Sequence, residues 1–201
     1  PVDFPGLGVD FAAFSGHKML APTGIGALYG RAELLDALPP FLTGGSMITR
    51  VGLEDAEYMP APIKFEAGTQ RVSQTVAFAA AVRYLEHVGM ANVQAWEHEL
   101  GQRLAAGVQQ IEGVRLLGPA DPARRAGLVS LAIDGVHPHD VGQLLDTWGI
   151  AVRVGHHCAQ PLHRLSGVTA STRASAYLYN TTDDIEAFLA ALAKVRPYFG
   201  L

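Results

Sequence analysis

The 201-residue sequence predicts an α/β protein in two parts, residues 1–90 and residues 91–201. Short apolar runs of strand length alternate with segments whose apolar residues recur at three and four, the helical period. Beyond residue 90 the pattern changes to a compact α+β unit. Hydrophobic residues make up 49% of the chain and charged residues 17%, the balance of a packed core and not of a disordered chain.

In the first part, residues 9–14, Val-Asp-Phe-Ala-Ala-Phe, read as a mostly apolar strand, and residues 25–29 as a second. A short helix near 31–37 is stopped by Pro39-Pro40, because proline cannot continue a helix. Residues 43–69, rich in glycine, proline and threonine, predict an extended loop or hairpin. Helical spacing returns over 74–87, with Val76, Ala80, Leu85 and Val88 expected on one apolar stripe and Gly89 as the stop. A longer helix is expected over 91–112, where Trp96, Leu100, Leu104, Val108 and Ile111 fall on one face.

The second part continues with strands at 114–117 and 127–133, joined by a polar loop, and a helix at 138–147. A strand at 150–154, a loop around Cys158, a strand at 173–178 and a last helix at 182–195 complete it. Thr182 is the expected cap of that helix, and Asp183, Asp184 and Glu186 suit its positive start.

Composition narrows the function. A net charge of -4 and the lack of a basic cluster with interleaved aromatics argue against a nucleic-acid partner. Apolar stretches are broken by glycine, proline or charge well before the roughly 20 residues that a membrane span needs. One cysteine and no visible signal peptide fit a reducing, cytoplasmic setting. The chain opens at Pro1 on a loop that leads into a buried-type strand, which predicts a sheet entered midway and hence the second half of a longer enzyme.

Two motifs carry chemistry. The single cysteine, Cys158, lies in Arg153-Val154-Gly155-His156-His157-Cys158-Ala159-Gln160-Pro161-Leu162 and has no internal disulfide partner. It is either a small buried hydrophobe or a reactive group. Basic neighbours favour the thiolate, the form that attacks, and glycine and proline favour a loop. The other motif is Ser15-Gly16-His17-Lys18, directly after the first strand. Of the three lysines, Lys18, Lys64 and Lys194, it is Lys18 that is surrounded by small and apolar residues. Desolvation there would favour the neutral amine, a nucleophile able to form a Schiff base. The plainer alternative is a lysine that extends from a strand end to water.

FSGHK followed by PTGIGALYG, then FEAGT at 65–69, GIAVRVGHHCAQPL at 149–162 and TRAS at 172–175 resemble, in order, a cysteine desulfurase of the Suf-type branch. These are pyridoxal 5'-phosphate (PLP) enzymes with the class V aminotransferase fold, and the likeness covers about the C-terminal half of one. It implies the C-terminal part of a fold-type I PLP-dependent transferase large domain in residues 1–90. Residues 91–201 would be a smaller α+β C-terminal domain with the cysteine loop.

The resemblance further implies Lys18 as the cofactor's amine, Ser15 and His17 at its phosphate, and Thr69 reaching the phosphate from a partner subunit in a homodimer. It implies Arg173 at the carboxylate of L-cysteine, with Arg153 as a second arginine near the substrate, and Cys158 as the thiolate that takes the sulfur and leaves alanine. His17 is the imidazole expected to help move protons. The sulfur would go to an acceptor protein for iron–sulfur cluster assembly. In some relatives that acceptor bears zinc, and a histidine matching His139 joins it; residues 50–65 resemble a hairpin that packs across the dimer. The family's ring-stacking histidine, pyridinium-pairing aspartate and phenolate-side glutamine match nothing here, so the 201 residues alone are expected to be inactive.

Two rival readings remain at this point. A selenocysteine lyase or another class V lyase would use the same residues. A metal-binding module would use His139, His156, His157 and Cys158, although no CxxC or HxxxH spacing is present. PTGIG lacks the Gly-Lys-Ser/Thr ending of a phosphate loop, and His137 and His139 are expected to point to opposite faces if extended.

Overall fold

A computed structural model describes residues 1–119 and 121–201. The chain forms two compact units, Pro1–Met90 and Ala91–Leu201. In the first, β1 (Phe11–Ser15) and β2 (Gly26–Gly30) form an antiparallel pair with Phe11 opposite Gly30 and Ser15 opposite Gly26. The connection between them is a 3-10 turn, Gly16–Met19, closed by Leu20 at φ 65. A short helix α1 (Ala32–Ala37) follows. The segment expected as a loop or hairpin contains β3 (Ile48–Val51) paired with β4 (Ala56–Tyr58). Arg50 bonds both Asp55 and Glu57 across that hairpin.

Helix α2 (Val72–Val88) is two residues longer at its start and one longer at its end than the periodicity indicates. Its buried residues are Ala81 and Leu85, while Val76 and Ala80 are exposed. The inward stripe is therefore turned by one residue at Ala80, onto the Phe78 side, where Phe78 meets Phe14 edge-on. Gly89, at φ 86, ends the helix.

In the second unit, α3 (Met90–Gln109) buries Val93, Leu100, Leu104, Ala105 and Val108; Ile111 lies in the turn beyond it. A four-stranded antiparallel sheet in the order β5-β6-β8-β7 comprises β5 (Val114–Leu117), β6 (Leu128–Ile133), β7 (Arg153–Gly155) and β8 (Ser171–Ser175). The loop expected between β5 and β6 includes residue 120, which lies outside the described residues. Strands alternate their faces, so Val129, Leu131 and Ile133 of β6 share one face with Thr172 and Ala174 of β8. That face meets one continuous core with α3, α4 (Pro138–Thr147) and α6 (Thr182–Leu192). The opposite face of the sheet carries Ser130, Ser171 and Arg173.

Several local expectations are corrected. The strand read over 150–154 is confined to Arg153–Gly155, because Ile150 N–H still bonds the Leu145 carbonyl at the end of α4. The strand read over 173–178 ends at Ser175, since Tyr177 and Asn180 close a turn on each other. The cap of α6 is Thr181, not Thr182: its hydroxyl accepts from Asp184 N–H, and the Asp184 carboxylate accepts from Thr181 N–H. That helix ends at Leu192, and Val195–Tyr198 forms a separate turn of helix, α7. A helix the sequence reading lacks, α5 (Gln160–Leu165), starts just after Cys158 with Pro161 in its first turn.

Candidate functional site

Two groups of the expected site residues are assembled, one in each unit. In the first unit, Ser15 ends β1, and His17 and Lys18 occupy the 3-10 turn. Small residues shape this turn. Gly16 is buried, its N–H bonds the Ile25 carbonyl at 2.9 Å, and a Cβ there would lie 3.1 Å from Ala21 and Ile25. At Gly26 a Cβ would lie 2.5 Å from the Phe14 carbonyl oxygen. The two glycines let the strands close tightly enough to present residues 15–18 together.

Lys18 and His17 are exposed, and among the described residues no hydrogen bond or ion pair engages the side chains of Ser15, His17 or Lys18. Of the two readings of Lys18, the lysine that extends to water describes it in this chain. The buried lysine is Lys64, whose Nζ donates to the Asp36 carbonyl at 2.8 Å and sits 5.5 Å from the centroid of the Phe65 ring. Small neighbours of Lys18 do not wall off a side chain four carbons long. Thr69 is exposed after Gly68, whose N–H bonds Gly45.

The second group surrounds Cys158. Strand β7 pairs Arg153 with Arg173, Val154 with Thr172 and Gly155 with Ser171. Two arginines directly opposite on neighbouring strands repel one another, an arrangement that an anion between them relieves. Arg173 Nε is buried and has no hydrogen-bond partner among the described residues. After Gly155, at φ 111, the chain enters a turn in which His157 and Cys158 adopt φ 52 and φ 62. Two consecutive left-handed residues that are not glycine cost about 1–3 kcal/mol each, and such strain persists only where surrounding contacts hold it.

Those contacts are visible. Ala159 N–H bonds the His156 carbonyl at 2.8 Å, and Arg153 Nη2 donates to Cys158 Sγ at 3.4 Å. The thiol is exposed. Behind it, Ser171 Oγ lies 2.9 Å from His157 Nε2 and 2.9 Å from His163 Nε2. Ser171 is fully buried and His163 nearly so. Burial, then the charge of Arg173, then His163 and Arg153, hold the His157 imidazolium below the usual histidine range, so this ring is neutral.

Sequence reasoning named Arg153, Cys158 and Arg173 but missed His163 and Ser171. Pro161 was the available signal, because proline in a first helical turn marks a helix start as readily as a loop. His139 is exposed at the start of α4. His137 and His139 are not extended: His137 Nδ1 accepts from His139 N–H as the helix cap, and the two rings stack at 5.8 Å. Among the described residues no group of three or more His, Cys, Asp or Glu is placed to hold a metal ion, and no helix is long and apolar enough to cross a membrane.

Comparison with known proteins gives the same picture along the chain. A probable cysteine desulfurase 2 of Mycobacterium leprae is 55% identical over 200 residues, covering 100% of this chain and 48% of that protein. The crystal structure of the cysteine desulfurase CsdA from Escherichia coli, in its S-sulfonic acid form, superposes with a TM-score of 0.92 at 37% identity. It covers 98% of this chain and 49% of that one. The cystine C–S lyase C-DES, solved with its product cysteine persulfide, gives a TM-score of 0.79 at 28% identity over 96% of this chain and 48% of its own. A variant of C-DES was solved with glycine covalently linked to its PLP cofactor. The chain spans about half the length of the curated relatives it matches. The family model for class-V aminotransferases matches residues 1–188, and the chain belongs to that family.

Proposed function

We propose that this chain is the part of a PLP-dependent cysteine desulfurase that supplies the cofactor's lysine and the cysteine that takes the sulfur. The observation that carries the reading is the Cys158 loop: an exposed thiol in a left-handed turn, with an arginine donor on its sulfur and a second arginine opposite the first. An inert structural cysteine needs none of these. The two relatives with solved structures act on the sulfur of cysteine or cystine by their names, which supports the same chemistry here.

The residues of the 3-10 turn fit PLP by their donor set. An amine, a hydroxyl and an imidazole stand on four consecutive residues with no partner among the described residues. Lys18 would hold the aldehyde carbon of the cofactor, Ser15 and His17 its phosphate, and Thr69 the same phosphate across a homodimer. When bound, PLP supplies an electron sink for charge that develops at the substrate Cα.

This chain's own groups do the remaining work. The planar forks of Arg173 and Arg153 bind the carboxylate of L-cysteine. Cys158 thiolate attacks the substrate sulfur, so that one S–S bond forms and the substrate C–S bond breaks. The electron pair stays with the carbon that becomes the alanine methyl, and that carbon takes a proton. Lys18 and His17 are the proton carriers on the cofactor side. The persulfide on Cys158 then passes to an acceptor protein, zinc-bearing where His139 takes part, for iron–sulfur cluster assembly in the cytoplasm. The exposed position of His139 at a helix start is consistent with docking there.

Borohydride reduction with PLP bound, followed by peptide mass mapping, tests the first half of this reading, and a pyridoxyl group on Lys18 is expected. In the whole enzyme that contains this chain, addition of L-cysteine then adds sulfur to the Cys158 peptide as alanine is released. A pyridoxyl group on Lys64 or Lys194 instead, or sulfur on no cysteine peptide, overturns the assignment.

A further inference from the structure

We propose that Ser171, clamped between His157 and His163, is the positioning residue for Cys158: its hydroxyl fixes the His157 ring, and through the adjoining backbone it holds the thiol within reach of Arg153. The proposal deepens the sulfur-transfer reading and rests on it only for the use to which the thiol is put.

The order of protons along the chain of contacts follows from its two ends. The Ala159 carbonyl can only accept, so His163 Nδ1, 3.0 Å away, is the donor. A neutral His163 then has a bare Nε2, and Ser171 Oγ, 2.9 Å away, donates to it. The serine hydroxyl has one proton, so towards His157 its oxygen accepts, and His157 Nε2 carries the hydrogen. With that ring neutral, its Nδ1 is bare, and this atom is indeed buried without a partner. One hydroxyl thus selects opposite tautomers on two histidines.

The placement of the three residues makes this a clamp on the turn. His157 immediately precedes Cys158, Ala159 immediately follows it, and His163 on α5 ties Ala159 back to the same hydroxyl on β8. Ser171 sits opposite Gly155 in the ladder, where the turn begins, and two residues before Arg173. The strained φ values of His157 and Cys158 are therefore pinned on both sides. None of the three side chains bonds the sulfur, whose donor is Arg153. Alanine at position 171 would leave a buried N–H on His157 and a buried acceptor on His163, with nothing to hold the first ring in place.

Alkylation of Cys158 by iodoacetamide reads the effect, since the chain has one cysteine and every adduct reports that thiol. Ser171→Ala and Arg153→Ala are each expected to lower the rate by about fivefold or more, and the double variant by no more than either alone. Ser171→Thr, which keeps the hydroxyl, is expected to restore the rate to within about twofold. Unchanged alkylation in Ser171→Ala, or losses that multiply in the double variant, overturns the proposal.

A spectrum of the unaltered chain provides a check that no folding defect can confuse. Long-range nitrogen–proton correlations should show His163 with its proton on Nδ1 and His157 with its proton on Nε2. A His157 proton on Nδ1 overturns the proposal outright. All of these readouts need neither substrate nor cofactor. The coupling in this chain together with no persulfide in the whole enzyme keeps the clamp and loses the sulfur-transfer reading, and the reverse result does the opposite.

Discussion

The first unit buries the apolar residues Ala21, Met47, Ala81 and Leu85, while Leu28, Phe41, Val51 and Leu53 stand in solvent. The second buries a continuous cluster that runs from Leu100 on α3 through Val129 and Leu131 on the sheet to Val195. Their functional side chains are held accordingly. Lys18 owes its place to backbone geometry: a hairpin register, two close-packed glycines and a left-handed residue after the turn. Cys158 owes its place to side chains, an arginine on the sulfur and two histidines on a buried serine. Backbone geometry alone can present a group but cannot wrap it. A packed sheet with polar groups on its second face can do both.

The sharpest way to break this contrast is to remove equal side chains from the two units. Leu131 is fully buried between β5 and β8, whereas Leu28 on β2 is 60% exposed. Leu131→Ala should cost about 2–5 kcal/mol of the second unit's unfolding free energy, from lost transfer and the cavity left behind. Leu28→Ala should stay within about 0.5 kcal/mol in the first unit. Denaturant titration with a probe in each unit checks both, and equal losses would remove the distinction.

A glycine pair tests the backbone side of the comparison. In Gly26→Ala the new Cβ would meet the Phe14 carbonyl oxygen at 2.5 Å, and a carbonyl inside a strand pair cannot step aside. Overpacking of this kind costs about 1–3 kcal/mol, and amide exchange in β1 and β2 should speed up first. At Gly45 an added Cβ meets nothing within 4 Å, and its φ is not positive. Gly45→Ala should therefore be neutral, or stabilising by up to about 1 kcal/mol through the unfolded state. If both substitutions leave the hairpin's exchange unchanged, the glycines do not shape the Lys18 turn.

A smaller effect is expected at the start of α6. Thr181→Ala removes one half of a reciprocal cap and should cost about 1 kcal/mol, whereas Thr182→Ala should cost less because that hydroxyl caps nothing. The pair also shows what was legible in the chain. Thr-Thr-Asp-Asp allows a cap at either threonine, and only the spacing to Asp184 selects Thr181.

The strands and helices with strong periodicity were legible because their pattern is local: β5 and α4 fall at their expected residues. The motif residues Lys18, Arg153, Cys158 and Arg173 were legible for the same reason, as runs of adjacent residue types. What was not legible depends on distant partners. Whether Lys18 is enclosed is decided by chain far from residue 18, and its own neighbours left both readings open. His163 and Ser171 look like an ordinary helix residue and an ordinary strand residue until β8 and α5 bring them within 2.9 Å of each other. Six residues of helix are too few for a periodic signal, so the element that delivers His163 was itself invisible.

The smallest expected effect concerns protons, and it sharpens the contrast because only the second unit's site has a buried network to titrate. His157 faces Arg173, Arg153 and His163, and its imidazolium is disfavoured first by burial and then by the Arg173 charge. The unfolded chain, with an ordinary histidine near 6.5, therefore binds more protons than the folded one in the window just below that value. Stability contributed by the neutral ring is fully present above about pH 6.5 and is lost as pH falls towards the lower folded value. The ring is partly open to water, so solvent screening keeps the slope modest. His157→Gln retains a donor for Ser171 and removes the titration, and unfolding midpoints from pH 5 to pH 7.5 should fall less steeply in the variant than in the parent. Equal slopes would mean that the ring is as easily protonated in the fold as in water. A steeper slope in the variant would mean that the fold favours the imidazolium, with Nδ1 protonated as well as Nε2.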